Sequence, residues 1–158
     1  MSELKPSAQR VQDELLKKGY ENKVIEISTS ARTAQEAADA LNCEVAQIAK
    51  SIIFKGMYSN QPILVITSGS NRVNESKVEQ YVNEPLGKAS PEFVKEHTGF
   101  VIGGVSPIAH TSKSKIFIDE DLYLFIEIWA AAGHPKALFK LTPTELKELT
   151  NGEIINVK

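Results

Sequence analysis

The stretch from Gln47 to Thr67, QIAKSIIFKGMYSNQPILVIT, decides the fold class. Ser51 to Phe54 and Ile63 to Thr67 are β-rich runs, and the segment KGMYSNQP between them has the composition of a hairpin. A hairpin joins antiparallel strands, whereas neighbouring parallel strands need a long crossover connection. Other predicted strands also follow one another without a helix. We therefore expect an α/β fold with a mixed, mostly antiparallel sheet surrounded by helices.

Start signals for helices flank this stretch on both sides. Thr33 and Glu36 form a capping-box pattern before an alanine-rich helix, and Ser90 followed by Pro91 starts a helix that ends at Gly99. Asn74 is placed to cap a helix from Glu75 to Val82. The other predicted helices are an amphipathic one from Ser7 to Gly19 with Val11, Leu15 and Leu16 on its apolar face, a turn from Val45 to Ala49, and one from Thr142 to Leu149.

Further strands complete the predicted sheet. The alanines of Ile126 to Ala132 leave a helix open as the alternative there, and Asp119 to Leu124 is expected to be a short turn or helix. The expected strands are Lys23 to Ser28, Phe100 to Ile102, Ile116 to Ile118, Ile126 to Ala132, Leu138 to Leu141 and Ile154 to Val157.

Length and composition predict one globular domain over residues 1–158. The chain is 42% apolar and 24% charged, which is ordinary for a globular protein. Its net charge of −2 argues against a protein that coats long nucleic acids, but it permits contact with one nucleic-acid end. The single cysteine, the absence of a signal-peptide pattern and the lack of an apolar run near ~18 residues predict a cytoplasmic protein without a membrane partner.

Several kinds of functional site are excluded by the motifs. The three histidines, His97, His110 and His134, lie far apart and no cysteine pair exists, so a structural zinc site is not expected. The chain has no Walker A loop, GxGxxG or GxSxG motif, and we expect no metal and no cofactor. Cys43 is expected to be a small buried hydrophobe rather than a nucleophile.

Lys50 is the first candidate functional residue. It stands where a predicted helical turn meets an apolar strand, in the string QIAKSIIFK. A lysine with a buried stem and a fixed ammonium group can stabilise a phosphate or a developing oxyanion. The alternative is a lysine that extends to solvent. Local sequence leaves both interpretations open.

Three glycine-containing segments are the other candidates. The glycine loop GGVSP, Gly103 to Pro107, has two glycines that permit close ligand approach and exposed N–H groups, although it is equally compatible with an ordinary turn. In AAAGHP, His134 lies between Gly133 and Pro135, where it is either a hydrogen-bond donor or a surface residue. The segment TSGSN, residues 67–71, resembles a weak anion loop, and we interpret it as a simple turn.

The order and spacing of these segments resemble a known family. The chain is similar to the YbaK/prolyl-tRNA synthetase-associated domain over nearly its full length. The matching segments are TSARTAQEAADAL, QIAKSIIFK, PILVITSGSNRV, FVIGGVSPIAH, WAAAGHPKALFKLTP and the final helix. The resemblance implies trans-editing, which is hydrolysis of the ester between an amino acid and the terminal ribose of a tRNA. The implied partners are the tRNA acceptor end and an aminoacyl-tRNA synthetase.

The resemblance also implies roles for particular residues. Lys50 takes the place of a lysine that reaches the end of the acceptor strand, and Ser51 follows where relatives often carry a small hydroxyl residue. The GxxxP loop of the family matches the glycine loop, whose N–H groups would hold the substrate carbonyl. The implied catalytic residues are Lys50, Gly103 and Gly104, and the implied substrate-binding residues are Ser51, Val105, Ser106, Pro107, Gly133 and His134.

The sequence departs from the cysteinyl-tRNA-specific branch of the family. That branch has a serine and an acidic residue in the segment where this chain has Ala131 and Leu138. An apolar, small-residue lining fits a small amino acid, alanine- or cysteine-like, and the departure disfavours a thiol-assisted reaction. Two alternatives to an enzyme remain at this point, namely a module that binds tRNA or a synthetase without turnover, and a small-molecule binder or hydrolase that reuses the fold.

Overall fold

The computed structural model describes residues 4–158. Its helices are α1 (Pro6–Lys17), α2 (Ala34–Leu41), α3 (Glu75–Val82), α4 (Pro91–Thr98) and α5 (Pro143–Thr150), with single 3₁₀ turns at Val45–Gln47 and Glu120–Leu124. Its strands are β1 (Val24–Glu26), β2 (Ile48–Gly56), β3 (Pro62–Ser68), β4 (Leu86–Lys88), β5 (Lys115–Asp119), β6 (Ile128–Ala131), β7 (Ala137–Leu141) and β8 (Glu153–Ile155).

The eight strands form one mixed sheet. Its order is β1-β7-β6-β2-β3-β5-β8, and β4 pairs with β2 off this path. The pairs β1–β7, β6–β7, β2–β3 and β2–β4 are antiparallel, while β2–β6, β3–β5 and β5–β8 are parallel. The predicted α/β fold with a mixed, mostly antiparallel sheet is confirmed, and so is the hairpin that joins β2 to β3.

Strand β2 has an open edge at the middle of the sheet. On the side away from β3, β6 pairs with Ile48 and Ala49, and β4 pairs with Phe54 to Gly56. Within residues 4–158, no strand pairs with Lys50 to Ile53 on that side. This open edge of β2, Lys50 to Ile53, therefore has unpaired backbone in the interior of the sheet, where a ligand can approach it.

Helices cover both faces of the sheet. Alternate residues of β2 point to opposite faces of the sheet. On one face Ala49 and Ile53 belong to the largest apolar cluster with α1, α4 and α5, and on the other Ile48 packs with α2. Helix α1 contributes Ala8, Val11 and Leu15 to the largest cluster. The prediction that Leu16 belongs to the apolar face of this helix is wrong, since Leu16 is 58% exposed.

Local signals fixed most helix starts. Thr33 and Glu36 form the predicted capping box, with both reciprocal bonds at 3.1 Å, and Ser90 accepts a bond from the N–H of Phe93 at 3.1 Å. Helix α3 begins after Asn74 as predicted, although the Asn74 side chain makes no capping bond. Helix α4 ends at Gly99, whose φ of +81° is a left-handed conformation that favours glycine.

Several predicted boundaries were wrong. Phe100 to Ile102 is a loop rather than a strand, because Phe100 fills the core while Val101 and Ile102 are half exposed and pair with nothing in the described sheet. The helical turn after Val45 ends at Gln47, so Lys50 lies inside β2 and not at a helix–strand junction. Strand β4 was missed because Leu86–Lys88 has little β-propensity and forms only through its pairing with β2.

No helix in the described part of the chain is long and apolar enough to cross a bilayer.

Candidate functional site

A cavity of about 470 Å³ opens beside the open edge of β2. Its walls are β2, the start of α2, the first residue of α3, β4, the start of α4 and the glycine loop, together with Ala131 of β6 and Leu138 of β7. The volume lies within the range of roughly 300–1,000 Å³ that is usual for sites of small organic ligands. The lining is mostly apolar, with a few polar and charged groups at defined positions.

The β2–β3 ladder determines which backbone groups face the cavity. The N–H of Gly56 donates to the carbonyl of Gln61 at 3.0 Å, and the N–H of Gly69 donates to the carbonyl of Ile48 at 2.8 Å. Hydrogen-bonded pairs alternate along antiparallel strands, so the even-numbered residues of β2 bond to β3. The amides and carbonyls of Ser51 and Ile53 therefore point toward the cavity.

Lys50 lines the cavity from the face of β2 that it shares with Ile52 and Phe54. Its side chain is exposed, and it forms no ion pair with a carboxylate in the described structure. Lys50 is thus an available positive charge at the mouth of a mostly apolar cavity. This placement permits the electrostatic role that local sequence had left open.

Ser51 also lines the cavity, next to Lys50. Its Oγ is buried and has no hydrogen-bond partner among residues 4–158. An unsatisfied buried hydroxyl costs free energy unless something binds it. Ser51 therefore has both a donor and an acceptor to offer to a bound ligand.

Arg10 of α1 contacts the residues on both sides of the glycine loop. The guanidinium donates to the carbonyl of Thr98 at 2.8 Å and to the carbonyl of Ala109, and it lies 4.5 Å above the centre of the Phe100 ring. These contacts tie together the two ends of the segment from Thr98 to Ala109. The segment that contains the glycine loop is thus held to α1 at both ends although no strand precedes it.

Gly103 and Gly104 of the glycine loop each lie against another segment so closely that a side chain would clash. Gly103 has φ +96°, and a Cβ there would lie 2.6 Å from Cγ of Arg32. A Cβ on Gly104 would lie 2.8 Å from backbone atoms of His134. The structure therefore brings together Arg32, the glycine loop and the GHP turn, which are far apart in sequence.

The amide donors of the loop differ from those predicted. The N–H of Gly104 donates to the carbonyl of Val101 at 3.0 Å, so it is engaged within a turn and is not free for substrate. The N–H groups of Gly103 and Val105 donate to no acceptor among the described residues, and both residues line the cavity. The free donors of this loop that belong to cavity-lining residues are therefore those of Gly103 and Val105.

The remaining predicted site residues do not line the cavity. His134 is half buried, and its Nδ1 accepts a bond from the N–H of Lys136 at 3.0 Å. Burial lowers the pKa of His134, and the charge of Lys5 lowers it further. Of the predicted residues, Lys50, Ser51, Gly103 and Val105 line the cavity, whereas Gly104, Ser106, Pro107, Gly133 and His134 are not among its described lining residues.

Sequence reasoning missed Arg32, Phe54 and Lys88, which also line the cavity. Arg32 lies just before the cap of α2, and a cation beside a recognised capping box was the available signal. Phe54 lies four residues after Lys50 on the same face of β2, so strand alternation was the available signal. Lys88 gave no signal, because only the pairing of β4 with β2 brings it to the site.

The structure also shows the surroundings of the TSGSN segment and of Cys43. The TSGSN segment comprises the last two residues of β3 and the turn that follows them, and the N–H of Ser68 and the amide of Asn71 donate to the carboxylate of Asp119 at 2.9 and 2.8 Å. Cys43 is half buried, and burial raises the pKa of its thiol, which disfavours the reactive thiolate.

His110 leads to a prediction about pH. Its Nε2 donates to the carbonyl of Ser106, and burial lowers the pKa of His110 below the ordinary value of 6.5, with a smaller contribution from the charge of Arg10. The unfolded chain therefore binds the proton more readily, so stability falls as the pH drops below about 6.5. In His110→Gln the side chain stays neutral, and the free energy of unfolding should fall less between pH 7.5 and 5.5. Urea denaturation at both pH values measures the difference, and equal losses in the two proteins would contradict the assignment.

Comparisons with known proteins show the family of the chain. A family model for the aminoacyl-tRNA editing domain matches residues 28–149. The chain belongs to this family. The predicted single domain over 1–158 extends beyond the matched residues at both ends and stays a prediction.

Relatives of this editing domain include both free-standing and fused proteins. An uncharacterised protein, YwhH of Bacillus subtilis, is 32% identical over 134 residues, which are 85% of each chain. Proline–tRNA ligase of Limosilactobacillus fermentum is 34% identical over 107 residues, which are 65% of this chain and 19% of the ligase. A crystal structure of a proposed trans-editing enzyme for prolyl-tRNA synthetase is 45% identical, with a TM-score of 0.93 over 99% of both chains. The similarity to a ligase thus covers one part of a much larger protein.

Proposed function

We propose that this editing domain is an aminoacyl-tRNA deacylase that hydrolyses the ester of a mischarged tRNA in trans. One observation carries the proposal, namely that Lys50, Gly103 and Val105 line the same cavity and that the N–H groups of Gly103 and Val105 have no acceptor among the described residues. A module that only binds tRNA would use the same cation and amides to hold a phosphate, so turnover of an ester is the result that separates the two functions. The same arrangement is what an ester hydrolase requires to stabilise a developing oxyanion.

The reaction needs few groups from the protein. Water adds to the ester carbonyl carbon, and the carbonyl oxygen takes up negative charge that the amides of Gly103 and Val105 and the ammonium of Lys50 stabilise. The bond from this carbon to the ribose oxygen then breaks, the ribose oxygen takes a proton, and the free amino acid leaves. A neighbouring ribose hydroxyl assists the attack, so Lys50 acts through charge and position and not as a base.

The lining favours a small amino acid as substrate. Ala131 and Leu138 face each other in the β6–β7 register and both line the cavity, together with Ala31, Ala34 and Ala37. These side chains leave room for a methyl or a similarly small group and offer no acidic or hydroxyl partner at that position. We therefore favour alanine as the substrate amino acid over cysteine.

A panel of mischarged tRNAs tests the function. The panel carries alanine, cysteine, serine and valine on tRNA for proline, because relatives named for prolyl-tRNA synthetase make this tRNA the first choice. We expect alanine to be released fastest, with a rate advantage of about 10- to 200-fold over an amino acid that differs by a methylene-sized group. Release of no amino acid, with tRNA or a synthetase still bound, would instead establish a binding module.

The proposed partners and location follow from the same function. The acceptor end of tRNA is the substrate, and the synthetase that mischarges it is a further partner. Since charged tRNA is made and used in the cytoplasm, we place the protein there.

A further inference from the structure

The cavity extends along β2 from Lys50 to the residues where β4 pairs with β2. Phe54 and Lys88 face each other in the β2–β4 register, so their side chains lie on the same face of the sheet. Lys50 lies on that face too, because residues alternate along a strand. Phe54 is the one aromatic residue among the described lining residues.

An aminoacyl group is too short to fill both ends of the cavity. Lys50 and Phe54 are four residues apart along β2, which corresponds to roughly 13 Å. One amino acid spans only about 3.6 Å of extended chain. With the ester carbonyl near Lys50 and Gly103, the end beside Phe54 is open to the part of the ligand on the other side of the ester bond.

The charges around the cavity favour an anionic ligand. The lining carries three cationic side chains, Arg32, Lys50 and Lys88, against one carboxylate, Glu75. None of the three cations forms an ion pair with a carboxylate within residues 4–158. This local positive excess contrasts with the net charge of −2 of the whole chain. An aromatic ring combined with a cation is how proteins commonly hold single-stranded nucleic acid, the ring by stacking and the cation by contact with phosphate.

We propose that Phe54 and Lys88 form a nucleotide subsite for the 3′ end of a single-stranded RNA. The Phe54 ring stacks on the base of the terminal nucleotide, and the Lys88 ammonium pairs with the phosphate on the 5′ side of that nucleotide. This inference rests on the proposed function, because the ester at Lys50 sets which nucleotide reaches Phe54. The subsite explains why an acidic chain can bind an RNA end.

A graded series of esters of one amino acid separates the two contacts. The series comprises an ethylene glycol ester without a base, 3′-aminoacyl-adenosine, 3′-aminoacyl-adenosine 5′-monophosphate and the full aminoacyl-tRNA. The variants are Phe54→Leu, which removes the ring but keeps apolar bulk, Phe54→Tyr, which keeps the ring, and Lys88→Ala. Lys55→Ala is the matched control, because Lys55 lies on the opposite face of β2, 5.5 Å from the centre of the Phe93 ring.

Each substitution should affect one step of the series. Phe54→Leu should lower kcat/KM for aminoacyl-adenosine by about 5-fold or more, and by much less for the glycol ester. Phe54→Tyr keeps the ring and should have a kcat/KM for aminoacyl-adenosine near that of the wild type. Lys88→Ala should lower kcat/KM only for the esters that carry the 5′-phosphate. It should also reduce the slope of log KM against log salt for tRNA by about 0.7. Lys55→Ala should leave all four rates near those of the wild type.

The outcomes separate failure of the subsite from failure of the proposed function. Equal losses on the glycol and adenosyl esters in Phe54→Leu, or no larger salt effect in Lys88→Ala than in Lys55→Ala, would overturn the subsite while deacylation stands. If the wild type cleaves none of the esters, the proposed function fails.

Calorimetric titration with adenosine 5′-monophosphate then tests the subsite alone. The subsite is supported if Phe54→Leu and Lys88→Ala weaken binding of this nucleotide, and it is overturned if they do not. Circular dichroism identifies a variant that does not fold, and if Phe54→Leu does not fold, Phe54→Met replaces it in the same series.

Discussion

Lys50→Ala is expected to lower kcat/KM for deacylation by about 10²–10³-fold, the usual cost of removing one group that stabilises an oxyanion. Lys50 supplies the cation beside the free amides of Gly103 and Val105, and no other part of β2 can replace it. The loss should appear in kcat, because the charge matters most once the carbonyl oxygen has become negative. Single-turnover hydrolysis of the best substrate of the panel measures it directly.

Two further variants show whether charge is the essential property. Lys50→Gln keeps most of the side-chain length without the charge and should resemble Lys50→Ala. Lys50→Arg keeps the charge but cannot act as a base, so it should retain more activity than Lys50→Gln. Lys55→Ala again serves as the control for loss of a lysine from β2. Full activity of Lys50→Ala would show that the proposed mechanism is wrong.

Asp119→Ala is expected to lower the free energy of unfolding by about 3 kcal/mol or more, because it leaves several buried donors without an acceptor. Asp119 is 1% exposed and accepts bonds from the N–H of Ser68, the hydroxyl of Thr67 and the amide of Asn71 at 2.9, 3.1 and 2.8 Å. The N–H of Asp121 donates to its other oxygen at 2.9 Å. Urea denaturation measures the loss.

Asp13→Ala is the matched control for this substitution. Asp13 is exposed on α1 and accepts a single bond from Gln9 at 2.8 Å, so its removal should cost no more than about 0.5 kcal/mol. Similar losses in the two variants would contradict the structural role of Asp119. That role bears on the site, because Thr67 and Ser68 are the β3 partners of Lys50 and Ala49.

The sequence predicted those features whose causes are local. Capping at Thr33 and Ser90 and the left-handed end at Gly99 depend on residues within one turn, and all three were found where expected. The β2–β3 hairpin followed from two adjacent apolar runs. Phe100 to Ile102 was misassigned because an apolar run of three residues fits a loop that fills the core as well as it fits a strand.

The amino-acid sequence by itself determined the fold class, the family resemblance, and Lys50 and the glycine loop as candidates. Only the tertiary structure decided how these groups meet. The open edge of β2 exists because β6 and β4 pair with opposite ends of that strand. The local sequence of a strand does not show which of its residues will have no strand partner. The free amides proved to be those of Gly103 and Val105, because the turn to Val101 engages Gly104. Arg32 and Lys88 reach the cavity through contacts between segments distant in sequence, which arise only when the chain has folded.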